Sequence, residues 1–246
     1  MKLTVVGCSG SVPGPDGPAS AYLVEHDGVR LLLDLGSGAL GPLYRYVDPV
    51  DIDVVLLSHL HADHCLDLCA YAVARRFGPA GPPPPVPVVA PAGAAQRIAA
   101  AYGPESRLDD VFAFSDLVAG QWEIGPFEVR TARVNHPVET YAIRVSAGGR
   151  SVTYSADTGR SKALVELAMG SDLLLCEATF PDGADTPPDL HLTGREAGEH
   201  AERAGVERLL LTHIPPWGDR IATLGEACSA FGGLTEVAVA GAKYQL

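Results

Sequence analysis

The sequence predicts an α/β fold arranged as a four-layer αββα sandwich, with two sheets face to face and helices outside. Three observations carry this. The first half reads strand, strand, strand, helix, strand, helix, and the second half repeats strand and helix signals in similar order without repeating the sequence. The histidines and aspartates of chemical interest stand at the ends of apolar runs, where the loops of a sheet gather. At 246 residues, 47% apolar and 20% charged, the chain is long enough for one large two-layer domain, taken here as residues 1–246.

Each element has a local cause. Residues 3–8 open the chain as an apolar strand, and a glycine- and proline-rich turn covers 10–18. Residues 21–25 and 29–34 form a hairpin over His26-Asp27-Gly28, in which Asp-Gly is the turn signal. Residues 40–46 suit a short helix, 52–57 a buried strand, and 66–77 carries helix-spaced apolar residues. Six prolines and two glycines between 78 and 87 make a rigid surface loop. Site candidates lie on both sides of that loop, so it is no domain boundary. In the second half, 127–130, 151–157, 173–176, 208–212 and 236–240 are strand-like, and a hairpin turns at Ala147-Gly148-Gly149-Arg150. Thr193-Gly194-Arg195-Glu196 is a capping box that opens a helix reaching about Ala204.

The segment Ser58-His59-Leu60-His61-Ala62-Asp63-His64 directly follows the run 52–57. It places four metal-capable side chains in the pattern H-x-H-x-D-H. Imidazole nitrogen with carboxylate oxygen suits zinc and its borderline neighbours. His136, Asp157 and His213 each follow a further strand-like run. Singly, a histidine at a strand end is more often a packed or surface residue. Three such residues behind H-x-H-x-D-H point to one metal site.

Composition narrows the setting. The formal net charge is −12, which disfavours nucleic acid and anionic membrane as partners unless a local basic patch exists. The densest basic pair, Arg75-Arg76, is too small to be one. The five cysteines Cys8, Cys65, Cys69, Cys176 and Cys228 follow no disulfide framework. Val5-Val6-Gly7-Cys8 imitates a lipoprotein box, but seven residues leave no room for a leader. No apolar run approaches the roughly 20 residues that span a bilayer. The expectation is a cytoplasmic protein with reduced thiols. Cys65 reads as a small buried residue starting a helix whose N-terminus would face the metal cluster. His26 and His200 are expected in solvent.

The order H-x-H-x-D-H, His, Asp, His resembles the metallo-β-lactamase-fold superfamily of hydrolases along the whole chain, and that likeness implies the same αββα sandwich. Carried over by motif, His59, His61 and His136 would bind one metal ion, and Asp63, His64 and His213 a second. Asp157 would bridge them. The cofactor implied is two divalent ions, zinc by default, with Mn²⁺ or Fe²⁺ compatible with five imidazoles and two carboxylates. The chemistry implied is in-line attack of a hydroxide shared by ions about 3.5–4 Å apart.

His191 in His191-Leu192-Thr193-Gly194-Arg195-Glu196-Ala197 is similar to the H-x-T-x-x-x-A motif of the ribonuclease Z and phosphodiesterase branch. Glu177, in Cys176-Glu177-Ala178, matches that branch's C-E-A/S segment. The resemblance implies that His191 assists the departing oxygen and that Glu177 orients it, so that Asp63, His191 and Glu177 form the catalytic set. Family members that process tRNA carry an arm between the counterparts of His136 and Asp157. Here these residues are 21 positions apart and leave room only for a hairpin, which weighs against tRNA. Gly7-Cys8-Ser9-Gly10-Ser11-Val12-Pro13, Pro188-Asp189-Leu190-His191-Leu192 and Leu211-Thr212-His213-Ile214-Pro215-Pro216-Trp217 resemble cytoplasmic cyclic-nucleotide phosphodiesterases of this fold. That likeness implies a small anionic phosphodiester, 3′,5′-cyclic AMP, as substrate, and a homodimer. The alternatives are a nuclease acting on short RNA, a thioester or lactone hydrolase of the glyoxalase II type, and a non-enzymatic module that keeps metal for stability.

Overall fold

Apolar runs that show no alternation, such as Leu31-Leu32-Leu33 and Leu209-Leu210-Leu211, are buried on both strand faces, and that dictates a covered sheet. A computed structural model, which describes every residue except Ala80 and Pro104, shows how they are covered. One sheet has the strand order β14-β1-β2-β3-β4-β5-β6. Its strands are β1 (Lys2–Gly7), β2 (Ala21–His26), β3 (Val29–Leu33), β4 (Val54–Leu56), β5 (Val86–Ala90), β6 (Phe112–Asp116) and β14 (Lys243–Gln245). The other runs β13-β12-β11-β10-β9-β8-β7. It contains β7 (Gly120–Ile124), β8 (Phe127–Arg133), β9 (Tyr141–Ala147), β10 (Arg150–Tyr154), β11 (Leu173–Glu177), β12 (Arg208–Thr212) and β13 (Leu234–Val237). Both sheets are mixed. The pairs β3–β4, β4–β5, β10–β11 and β11–β12 are parallel.

Period-two alternation sorts the side chains into layers. Leu31, Leu33, Val54 and Leu56 meet Val152, Leu173, Leu175 and Leu210 between the sheets. Leu32, Val55 and Leu57 face outward with Leu68, Tyr71 and Ile98, which come from α3 (Leu68–Phe77) and α4 (Ala94–Tyr102). Leu174, Leu209 and Leu211 face the other side, under α5 (Lys162–Ala168), α6 (Gly194–Ala204) and α7 (Arg220–Cys228). This is the αββα sandwich. Among the described residues no helix is long and apolar enough to cross a membrane.

Several boundaries differ from the sequence expectation. The helix expected over 40–46 is the single turn α1 (Leu40–Leu43). The helix expected over 66–77 is α3, and a separate turn, α2 (Ala62–Cys65), precedes it, so a helical turn begins inside the histidine cluster. Cys65 closes that turn, fully buried, rather than opening a helix. The last expected strand lies at Leu234–Val237 instead of 236–240. The proline-rich run yields to β5 at Val86, with Ala80 outside the described residues. Arg75, of the pair judged too small for a basic patch, is buried and donates to the Pro84 carbonyl at 2.6 Å, which ties that run to α3. His200 is also buried. The Ser161 amide donates to its Nε2 at 3.0 Å, so this histidine anchors the start of α5. The hairpin and the capping box stand as read from sequence. Asp27 and Gly28 both have positive φ, as a tight two-residue turn requires. The Thr193 hydroxyl accepts from the Glu196 amide, and the Glu196 carboxylate accepts from the Thr193 amide.

Leu210→Ala should test the shared layer. A fully buried leucine between two sheets leaves a cavity on truncation, and about 2–5 kcal/mol of stability should be lost in urea denaturation. A loss below about 1 kcal/mol would contradict the packing described.

Candidate metal centre

The loops after β4, β8, β10 and β12 open at the same edge of the sandwich. β4 leads into Ser58 and His59, and α2 carries Asp63 and His64. His136 follows β8, Asp157 follows β10 and His213 follows β12 directly. Close backbone approach makes this convergence possible. A Cβ at Gly36 would collide with the Asp63 carbonyl oxygen, and one at Gly10 with that of His213. Six described non-glycine residues have positive φ, among them Asp34, Ala156, Asp189, His213 and Ser11. Asp34, Ala156 and His213 carry or adjoin this cluster, the kind of place where backbone strain collects.

The structure brings together all seven residues that the motif picked out. His59, His61, His136 and Asp157 form one group, and Asp63, His64, Asp157 and His213 another; in each, the candidate ligand atoms lie within 4.8 Å of one another. His61 Nδ1 is 3.2 Å from both His59 Nε2 and His136 Nε2. His64 Nε2 is 3.2 Å from His213 Nε2. Asp157 belongs to both groups. Its Oδ2 is 3.6 Å from His59 Nε2, and its Oδ1 is 3.2 Å from His64 Nε2 and 3.4 Å from His213 Nε2. Thus one oxygen of a single buried carboxylate faces each group.

The outer atoms of these rings are also held. Asp34, fully buried, accepts from His64 Nδ1 and Ser58 Oγ, both at 2.8 Å, and from the Ser58 amide at 2.7 Å. With its proton committed to Asp34, Ser58 Oγ accepts from His59 Nδ1 at 3.1 Å. His136 Nδ1 donates to the Leu190 carbonyl at 2.8 Å, and His213 Nδ1 to Thr179 Oγ1 at 2.9 Å. Four imidazoles thereby have Nδ1 engaged and Nε2 aimed inward, the arrangement that fixes metal-binding tautomers. Sequence reasoning missed Asp34, Ser58 and Thr179 in this role. The available signal was a carboxylate closing the run Leu31-Leu32-Leu33, a place where an unpartnered charge is costly.

The donor set fits divalent cations. Facing imidazole nitrogens 3.2 Å apart repel unless a proton or a cation lies between them, and Asp157 Oδ1 is buried without a hydrogen-bond partner. Burial, reinforced by neighbouring imidazoles, lowers the pKa of His59 well below its ordinary value, and burial lowers those of His61 and His136. These three rings are therefore neutral at pH 7 with lone pairs available. Burial pushes the Asp63 and Asp157 carboxyls up, but the surrounding imidazoles outweigh it, and both stay ionised.

Beside the two groups, His191 Nδ1 donates to Glu177 Oε1 at 2.9 Å. Glu177 is fully buried and also accepts from the Thr158 amide at 2.6 Å, Thr179 Oγ1 at 2.8 Å and the Leu192 amide at 3.3 Å. Burial disfavours protonation of His191, but the Glu177 carboxylate prevails and raises its pKa to about 9. Its ring centroid lies 5.5 Å from that of His136 and 5.4 Å from that of His213. The helical N-terminus at the cluster belongs to the single turn of α2, with His61 at its N-cap position making no side-chain cap bond, and one turn carries little macrodipole.

Residues 29–214 match the beta-lactamase superfamily domain. An uncharacterized protein of Mycobacterium leprae is 44% identical over 253 residues, spanning 100% of this chain and 89% of that one. The probable metallo-hydrolase YhfI of Bacillus subtilis is 31% identical over 98% of both chains. Its crystal structure superposes with a TM-score of 0.90 at 29% identity, covering 99% of this chain and 98% of that chain. Ribonuclease Z of Mycobacterium bovis is 28% identical over 88% of this chain and 86% of its own.

Asp34→Ala strands two donors on Ser58, one on His64 and the buried Tyr154 hydroxyl. The metal-free protein should lose about 3 kcal/mol or more in urea denaturation. Unchanged stability would show that the carboxylate does not organise the cluster.

Proposed function

The chain is a metal-dependent hydrolase of the beta-lactamase superfamily, and from that premise we propose that it is a dinuclear phosphodiesterase acting on a small phosphodiester, a 3′,5′-cyclic nucleotide such as cyclic AMP, and releasing the 5′-monophosphate. His59, His61 and His136 are assigned to one cation, Asp63, His64 and His213 to the other, and Asp157 to both. Bound divalent cations supply a water of lowered pKa and neutralise charge on phosphoryl oxygens. Zinc is the proposed ion, since nitrogen outnumbers oxygen in the donor set.

The observation that carries the reading is the His191–Glu177 pair. Glu177 accepts the Nδ1 proton of His191 and stabilises the doubly protonated ring, which leaves Nε2–H to donate. Positioned beside both groups, His191 protonates the 3′ oxygen as its bond to phosphorus breaks. Thioester or lactone cleavage gives this pair no evident task. A carboxylate in four hydrogen bonds also holds His191 in place without moving it, which is what phosphoryl transfer asks of a protein.

Short RNA is the competing substrate, favoured by the likeness to ribonuclease Z. Two features weigh against it. Between His136 and Asp157 lie only the strands β9 and β10, and the two arginines that pair with or belong to α6 are committed to carboxylates. Arg160 pairs with Glu196 and Glu199 at 2.7 Å, and Arg195 with Asp182 at 2.6 Å. With a net charge of −12, little is left to grip a polyanion. A cytoplasmic location is proposed because the five cysteines are unpaired, and a homodimer on the family likeness.

One zinc-loaded preparation should be offered cyclic AMP, a 2′,3′-cyclic nucleotide, bis(p-nitrophenyl) phosphate, a short RNA and a lactone. Cyclic nucleotide turnover should exceed the rest, and preference for RNA or lactone would overturn the assignment. His191→Ala should cut phosphodiester turnover by about 10²-fold or more with zinc content unchanged. Unchanged turnover would remove the leaving-group role.

A further inference from the structure

The second group of candidate ligands is split between the sheets. Asp63 and His64 follow β4 of one sheet, and Asp157 and His213 follow β10 and β12 of the other. A cation held by all four needs the two sheets fixed against each other to a fraction of an ångström. The leucine and valine layer between the sheets is non-directional and cannot set such a distance alone.

Two tyrosines cross that layer in opposite senses. Tyr154, on β10, reaches the far sheet and donates to Asp34 Oδ2 at 2.8 Å, the same oxygen that takes the Nδ1 proton of His64. Tyr22, on β2, reaches back and shares a 2.6 Å hydrogen bond with Thr212 Oγ1, on the residue before His213. The two rings touch, with centroids 5.0 Å apart and planes at 55°. Both are buried to within 1%. Each sheet therefore sends a hydroxyl to the residue that supports the opposite sheet's histidine, and the rings brace one another in the middle.

We propose that Tyr22 and Tyr154 are positioning residues for the second cation, a crossed pair that sets the His64–His213 separation. This rests on the two-cation reading above. Neither phenol touches a candidate ligand atom that faces the cation: Tyr154 acts through Asp34 and through its 3.4 Å approach to the outer nitrogen of His64, Nδ1, and Tyr22 acts through Thr212. In the first group, His136 takes its orientation from the Leu190 carbonyl, outside the reach of the pair, and His59 is reached from Tyr154 only through two further bonds, Asp34 to Ser58 and Ser58 to His59, so this group should respond far less than the second. Selectivity for one of the two sites separates positioning from general support, because loosening of the whole core would weaken both.

Zinc titration of the metal-free full-length chain by calorimetry tests this. Tyr154→Phe and Tyr22→Phe keep the rings and remove the hydroxyls, and Thr212→Val removes the far partner of Tyr22 without touching either ring. Each should weaken the second zinc equivalent by about tenfold or more and leave the first within about twofold. The double tyrosine variant should fall short of the product of the single effects, as coupled partners do. Equal weakening of both equivalents, or none, would overturn the proposal. A wild-type chain that takes up fewer than two equivalents removes the two-cation reading itself, and this inference with it.

Discussion

Asp157 is the constraint around which the rest of the molecule is arranged. Its carboxylate is buried and lies against His59 with one oxygen and against His64 and His213 with the other. A charge in that position is tolerable only if positive charge surrounds it on both sides. The loops from both sheets must therefore close on the same few ångströms. Parallel strand pairs that end at one edge of each sheet deliver those loops. The glycines at 10 and 36 then permit the backbone contact without which His213 and Asp63 could not both reach the carboxylate.

The surrounding layer shows why a cluster of like groups stays folded. Imidazoles pack at ring distances of 4.1 to 5.1 Å around His59. His59 and His64 are fully buried, His61 and His136 partly so, and most recover a hydrogen bond on the outward nitrogen. Asp34 is the hub on one side and Glu177 on the other. Both end buried strands, and both saturate their oxygens with donors from neighbouring loops. Metal affinity in such a site is bought from folding energy, because the same bonds that organise the apo cluster orient the ligands.

Much of this was legible in the chain. H-x-H-x-D-H behind a buried run, with a histidine, an aspartate and a histidine after three later runs, named the seven clustered residues, because strand ends in a layered fold share an edge. The apolar runs gave the strands they contain to within a few residues. What escaped had no local signature. α4, α5, α7 and β6 pack on partners elsewhere in the chain, β7 is a mostly exposed edge strand paired with β8, and β14 pairs with β1 across nearly the whole sequence. His200 was assigned to solvent because charged neighbours flank it, but helical geometry turns it inward onto Ser161. Asp34 read as the end of a hairpin strand. Its importance comes from Ser58, His64 and Tyr154, none of which is near it in sequence.

Glu177, His191 and His213 also lie close enough together to hold an ion, and the hydrogen bonds decide against that use. A carboxylate offers about four lone-pair sites. Those of Glu177 meet the Thr158 amide, the Thr179 hydroxyl, the Leu192 amide and His191 Nδ1, so none is left for a cation. His213 Nδ1 is likewise spent on Thr179. The pair is therefore built to hold a proton on His191 rather than a metal. Its place beside the two groups is the geometry on which the proposed proton transfer to a departing oxygen rests. The same carboxylate that holds His191 accepts from the amide next to Asp157, so the proton donor and the shared carboxylate are set by one group. That linkage, more than the histidine count, is what the proposed phosphodiesterase reading rests on.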